Sequence, residues 1–89
     1  MIRRTITVEN ELGLHLKAAA QIVEITTPAK CPVWLTFGAT TVDAKSLLGI
    51  TSLVAKKGTE LVISASGPGE EDVVKRLCIL FDSGFNKDC

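Results

Sequence analysis

Alternating hydrophobic and polar residues predict four short β-strands in this chain. Apolar side chains recur at every second position over residues 2–8, 33–37 and 60–65, as expected for strands with one buried face. Arg4 is the residue that departs from this alternation in the first strand. Gly38 and Ala39 predict a tight turn after the second strand, from which residues 40–43 return as the third.

Apolar residues spaced three or four apart predict three helices. The first covers residues 16–27 and is amphipathic, with a polar face formed by Lys17, Gln21 and Glu24. The second is a short helix over residues 46–53, whose first hydroxyl can cap free backbone amides. The third runs from the acidic residues 70–72, which favour a helix N-terminus, to residue 82.

The order of these elements predicts one α+β domain over residues 1–89, with helices on one face of a mainly antiparallel sheet. The opposite face of the sheet should be partly wet. Its residues include Thr5, Thr7, Thr36 and Ser64. Trp34 has the same parity and marks either an interface or a ring lying beside threonines on an open sheet, and we favour the second interpretation.

The charge balance argues against a nucleic-acid partner. Ten Lys and Arg residues balance ten Asp and Glu residues, and the aromatic residues are one Trp and three Phe. The chain therefore offers neither a basic field nor a stacking platform, which disfavours the alternative of a small-ligand or RNA-binding domain. No long apolar stretch follows the first residues, which predicts a cytoplasmic protein without a signal peptide or membrane insertion.

The cysteines are three in number and irregularly spaced, so neither a disulfide framework nor a metal site is expected. Cys78 falls on the apolar stripe of the third helix and is expected in the core. Cys89, at the last position, is the cysteine expected to cross-link molecules in air.

The single histidine, His15, lies between a glycine turn and the first helix. The opening turn of a helix presents unpaired N–H groups and a partial positive charge, which stabilise a bound anion such as phosphate. The same charge disfavours the protonated ring and leaves a neutral, nucleophilic imidazole. Lys17 adds a cation, and the alanines at positions 18–20 are expected to leave the first amides open to an anion or a partner.

Position alone leaves open that His15 is a surface residue without chemistry. No general base, nucleotide loop or carboxylate cluster accompanies it in the sequence, so a complete catalytic site cannot be assembled. A carrier of a phosphoryl group, unlike an enzyme, needs only the nucleophile and no cofactor, so the residues alone leave open whether His15 belongs to such a carrier or has no chemical role.

Three motifs follow one another along nearly the whole chain. They are residues 13–15 with Ala19 and Ala20, residues 44–50 with Ser52 and Leu53, and residues 57–60 with residues 63–67. In this order they resemble the HPr family of the bacterial phosphoenolpyruvate-dependent sugar phosphotransferase system. The resemblance implies an open-faced β-sandwich of order βαββαβα with three helices on one face. It also implies that His15 accepts a phosphoryl group on Nδ1 from phospho-enzyme I and passes it to sugar-specific enzyme II A components.

Two residues next to His15 depart from the family pattern, which has Arg where this chain has Lys17 and Pro where it has Ala18. Lysine keeps the charge but lacks the planar fork that holds two phosphoryl oxygens at once. An HPr-like regulatory paralogue, which binds partners but transfers phosphate weakly, is therefore the alternative function. Ala18 should perturb the fold little, because it restores a backbone N–H in the first helical turn, where the absence of that N–H in proline costs nothing.

The resemblance implies two further roles. Ser46 corresponds to the serine that HPr kinase/phosphorylase modifies in some bacteria, although a serine at a helix start serves mainly as a cap. A docking patch for enzyme I and the acceptors is expected from Leu16, Ala20, Leu47 and Leu48. Ile50 and Leu53 occupy the other face of the short helix and should reach the core, although ordinary core packing of Leu47 and Leu48 stays open.

Overall fold

A computed structural model describes residues 1–85 of the protein. Its elements are β1 (Ile2–Thr7), α1 (Leu16–Thr26), β2 (Val33–Phe37), β3 (Thr40–Asp43), α2 (Leu47–Thr51), β4 (Glu60–Ala65) and α3 (Glu70–Asp82). All seven predicted elements are present in the predicted order, and only β1, α1 and α2 differ from their predicted bounds, by one or two residues at an end, because terminal turns and strand ends are weakly determined. Cys89, for which cross-linking is expected, lies outside the described residues.

The sheet contains four strands in the order β1-β4-β2-β3, and every neighbouring pair is antiparallel. The prediction of an open-faced sandwich is confirmed, since one face of the sheet is left uncovered by the three helices. Apolar residues of the covered face stand opposite one another on adjacent strands, as in the pair Leu35 and Ile63, both of which are fully buried. This pairing places the hydrophobic core between the sheet and the helices.

The centre of the open face is less exposed to solvent than the sequence pattern predicts. The pattern predicts that Ser64 on β4 is exposed to solvent, but this residue is only 8% exposed. It stands between Arg3 on β1 and Trp34 on β2, whose larger side chains flank it on both sides. Trp34 itself is half-buried, and Thr36 and Thr41 form a hydrogen bond of 2.9 Å between their hydroxyl oxygens on the same face.

Helix α1 is buried over a wider arc than its amphipathic pattern predicts, because it contacts both α2 and α3. Gln21 was expected on the polar face and is only 6% exposed, and within residues 1–85 its Oε1 atom accepts no hydrogen bond. Ala18 and Ala19 are fully buried, so two of the three alanines after His15 belong to the core and only Ala20 is open to solvent.

Helix α3 covers β1 and β4, and its C-terminal end continues into the core. Phe85 is 8% exposed and packs edge-to-face on Phe81 with ring centroids 4.9 Å apart. Cys78 is half-buried rather than fully buried, because it lies in the groove between α3 and the edge strand β1. Burial raises the pKa of its thiol and nearby Asp82 raises it further, which keeps the thiol protonated.

None of the helices described has the length and hydrophobicity that a membrane span requires.

Candidate functional site

His15 is the N-cap residue of α1. Its backbone is extended (φ −81°, ψ 179°), and its Nδ1 atom accepts a hydrogen bond of 3.1 Å from the backbone N–H of Lys17. An accepting Nδ1 is unprotonated, so in the neutral ring the proton lies on Nε2. The half-buried ring thus directs its nucleophilic lone pair at the free amides of the helix N-terminus.

The loop before His15 is held in place by backbone hydrogen bonds. The N–H of Leu14 donates to the carbonyl oxygen of Ala55 at 2.9 Å, and the N–H of His15 donates to the carbonyl oxygen of Gly13 at 3.0 Å. The amide of Asn10 also donates to that Gly13 oxygen, at 2.7 Å. Gly13 adopts φ +69°, a left-handed conformation that other residues avoid. These contacts set the position of His15 before α1 begins.

Lys17 follows the capping histidine on the exposed side of α1. Within residues 1–85, its ammonium group makes no hydrogen bond or ion pair. Ala18, at the position where the family pattern has proline, is fully buried. The cation nearest to His15 in the sequence is therefore available to an anion.

The residues expected to form the docking patch are all exposed to solvent. Leu16 is 64% exposed, Leu47 37% and Leu48 80%, and Ala20 is exposed too. Leu16 borders a shallow cavity with His15, whereas Ala20 and Leu47 border another. Leu48 lines neither cavity.

The opposite face of α2 behaves as the sequence pattern predicts. Ile50 is fully buried and Leu53 is 6% exposed, so the expectation that both reach the core is confirmed. Leu47 and Leu48 at the start of α2 thus lie at the surface, whereas Ile50 and Leu53, which follows the helix, lie in the core.

Three exposed residues beside His15 were not singled out by sequence reasoning. The His15 cavity, of about 520 Å³, is also lined by Leu12, Val54 and Lys56. Leu12 is 78% exposed and Val54 is 70% exposed, so the apolar surface extends beyond the predicted patch. Leu12 and Val54 are apolar residues in turn segments. Because residues of such segments usually lie at the surface, their place in the sequence could have indicated that they are exposed.

Val54 has φ +51°, which is a strained conformation for a β-branched residue. Since the side chain is largely exposed, little packing would be lost with it. Replacing Val54 by asparagine, which tolerates the left-handed region, is expected to raise the free energy of unfolding by about 1 kcal/mol. Urea denaturation monitored by circular dichroism measures this change, and a lower stability of Val54→Asn would contradict the strain.

Ser46 is the N-cap of α2, and its Oγ atom accepts a hydrogen bond of 3.1 Å from the N–H of Gly49. A Cβ atom at position 49 would lie 3.2 Å from that oxygen, so glycine allows this close approach. The capping role expected for Ser46 fits this geometry. Its phosphorylation stays a prediction.

The cation Lys57 is already paired. Its ammonium nitrogen lies 2.7 Å from Oε1 of Glu11. This hydrogen bond, followed by the attraction between the charges, lowers the pKa of Glu11 and raises the pKa of Lys57. The pair joins the loop before His15 to the turn before β4.

Among residues 1–85, no group of three or more His, Cys, Asp or Glu side chains could hold a metal ion.

Comparison with known proteins adds to this geometry. The family model for the PTS HPr component phosphorylation site matches residues 2–83. The phosphocarrier protein HPr of Xylella fastidiosa is 33% identical over 99% of both chains, and the phosphocarrier protein NPr of Escherichia coli is 30% identical over 98% of both. The crystal structure of HPr-C-His from Thermoanaerobacter tengcongensis is similar over 100% of both chains, with a TM-score of 0.93 and 34% identity.

Proposed function

Because the chain belongs to the HPr family of phosphotransferase-system phosphocarriers, we propose that His15 accepts a phosphoryl group from phospho-enzyme I and delivers it to sugar-specific enzyme II A components. The observation that carries this proposal is the Nδ1 atom of His15, which accepts the Lys17 N–H at the start of α1. A nucleophile and an anion-binding backbone group thus lie at the same point.

In the proposed transfer, the Nδ1 lone pair of His15 attacks the phosphorus atom. The Nδ1–phosphorus bond forms, and the bond between phosphorus and the donor atom of phospho-enzyme I breaks, leaving its electron pair on the donor. The imidazole keeps its proton on Nε2 throughout. The Lys17 N–H then donates to a phosphoryl oxygen instead of to Nδ1, so the amide that orients the nucleophile goes on to stabilise the product.

The side chains around His15 are proposed to stabilise the charge of the phosphoryl group and to contact the partner proteins. The Lys17 ammonium group, which has no partner within residues 1–85, neutralises part of the phosphoryl charge. The docking patch contacts enzyme I and the acceptors through a small apolar area, as suits a transient complex. The protein gains and then loses one phosphoryl group in each cycle, so it acts as a stoichiometric carrier.

Incubation of the purified protein with phosphoenolpyruvate and enzyme I tests the proposal. We expect one phosphoryl group per molecule, which fragmentation mass spectrometry places on His15 and which is lost in acid. Subsequent addition of an enzyme II A component should remove it. A protein that stays unmodified under these conditions would exclude the carrier function.

Replacing Lys17 by arginine is expected to speed phosphoryl transfer by about threefold to tenfold, because a guanidinium group holds two phosphoryl oxygens in one plane. Rapid-quench measurement of transfer from phospho-enzyme I gives the rate. An unchanged rate would remove orientation by the side chain at position 17 from the mechanism. A wild-type protein that binds enzyme I but accepts phosphate very slowly would favour the regulatory paralogue instead.

A further inference from the structure

We propose that Lys56 is a second phosphoryl-positioning residue, which acts with Lys17 on the phosphoryl group carried by His15. The inference rests on the proposed carrier function and deepens it. Its starting point is that Lys56 borders the His15 cavity, although forty residues of sequence separate them.

The backbone at Lys56 is held tightly against the loop that carries His15. The carbonyl oxygen of Ala55 accepts the N–H of Leu14 at 2.9 Å. A Cβ atom at Gly13 would lie only 3.1 Å from the Cα atom of Lys56, so the two chain segments touch directly. The main-chain position of Lys56 relative to the loop that carries His15 is therefore set by these backbone contacts.

The turn that carries Lys56 is itself closed by hydrogen bonds. The N–H of Lys56 donates to Oγ1 of Thr59 at 3.2 Å, and the N–H of Thr59 donates to the carbonyl oxygen of Lys56 at 3.0 Å. The main chain is thus anchored on both sides, while the side chain is exposed beside the cavity.

The ammonium group of Lys56 is available, in contrast to those of two other lysines. Lys57 pairs with Glu11 at 2.7 Å, and the Lys45 ammonium donates to the carbonyl oxygen of Ala29 at 2.8 Å. Within residues 1–85, the Lys56 ammonium makes neither kind of contact. It can move to an anion without breaking an interaction of the folded protein.

The compact charge and donor geometry of lysine favour a second lysine beside Lys17. A phosphoryl group carries a charge of about −1.5 to −2 near neutral pH, whereas a single lysine supplies one positive charge at one point. Lys17 lies two residues after His15 in the sequence, and Lys56 lines the same cavity as His15. Together they supply two separately placed donors, as one arginine fork does in the family pattern.

The test compares Lys56→Ala with Lys75→Ala, which removes the same side chain from the exposed side of α3 and does not border the His15 cavity. Each variant is phosphorylated by enzyme I with phosphoenolpyruvate and, separately, by potassium phosphoramidate. In the second reaction Nδ1 attacks phosphorus, the phosphorus–nitrogen bond of the reagent breaks, and its protonated nitrogen leaves as ammonia with the bonding electrons. The chemical reagent measures the action of Lys56 on the phosphoryl group without a protein partner.

We expect Lys56→Ala to slow both reactions by about threefold to tenfold, and Lys75→Ala to match the wild type. Lys56→Arg should restore the rate, and raised ionic strength should reduce the difference between Lys56→Ala and wild type. Slowing by Lys56→Ala in the enzyme I reaction alone would assign Lys56 to partner docking and overturn the inference. Equal rates of Lys56→Ala and wild type would overturn it as well, while a phosphorylated His15 would leave the carrier function standing. Failure of the wild-type protein to accept phosphate from either donor would overturn both.

Discussion

Replacing His15 by asparagine is expected to abolish phosphoryl incorporation without lowering the free energy of unfolding of the protein. His15 has two separable roles in the structure, since its Nδ1 atom is both the proposed nucleophile and the acceptor that caps α1. Asparagine is among the best N-cap residues, because its side-chain oxygen accepts the same kind of backbone N–H. It has no nitrogen lone pair able to attack phosphorus.

His15→Ala is the matched variant, because it removes the nucleophile and the cap together. It should lose phosphoryl incorporation and about 1 kcal/mol of stability, whereas His15→Asn should lose incorporation alone. Mass spectrometry after incubation with phosphoenolpyruvate and enzyme I measures the first effect, and urea denaturation measures the second. Residual phosphorylation of either variant would place the acceptor on another residue.

The arrangement of strands and helices could be predicted because their patterns are local. Glycines and prolines mark the chain reversals, and the period of the apolar residues distinguishes strands from helices. The place of His15 at the start of α1 follows from the same local reading, because the glycine turn and the apolar face of the helix meet there. Each of these features depends on residues close together in the sequence.

The features that escaped prediction depend on contacts between distant segments. Gln21 is buried because α1 packs against two helices, and Ser64 is buried because large residues flank it on neighbouring strands. The strain at Val54 and the approach of Lys56 to Gly13 both arise where the turn before β4 meets the His15 loop. Neither the period of the hydrophobic residues nor the composition of the turns indicates which distant segments of the chain are in contact.

Gly13→Ala tests the same meeting of segments and is expected to cause the largest loss of stability. The backbone at Gly13 has φ +69°, and an added Cβ atom would lie 2.3 Å from the carbonyl oxygen of Ala55. That oxygen also accepts the N–H of Leu14, so relieving the overlap breaks a backbone hydrogen bond. The left-handed strain and the forced shift together should cost about 3 kcal/mol or more.

Gly38→Ala separates the two causes of this loss. Gly38 has φ +61°, close to that of Gly13, but an added Cβ atom there meets no atom within 4 Å. Gly38→Ala should therefore cost only the strain, about 1 kcal/mol, and leave phosphoryl transfer unchanged. In thermal unfolding, Gly13→Ala should lower Tm by about 12 °C or more and Gly38→Ala by about 4–8 °C. Equal losses of stability in the two variants would mean that the backbone at Ala55 moves away from the added Cβ atom at little energetic cost. The close approach that positions both His15 and Lys56 would then rest on the hydrogen bonds of the loop instead.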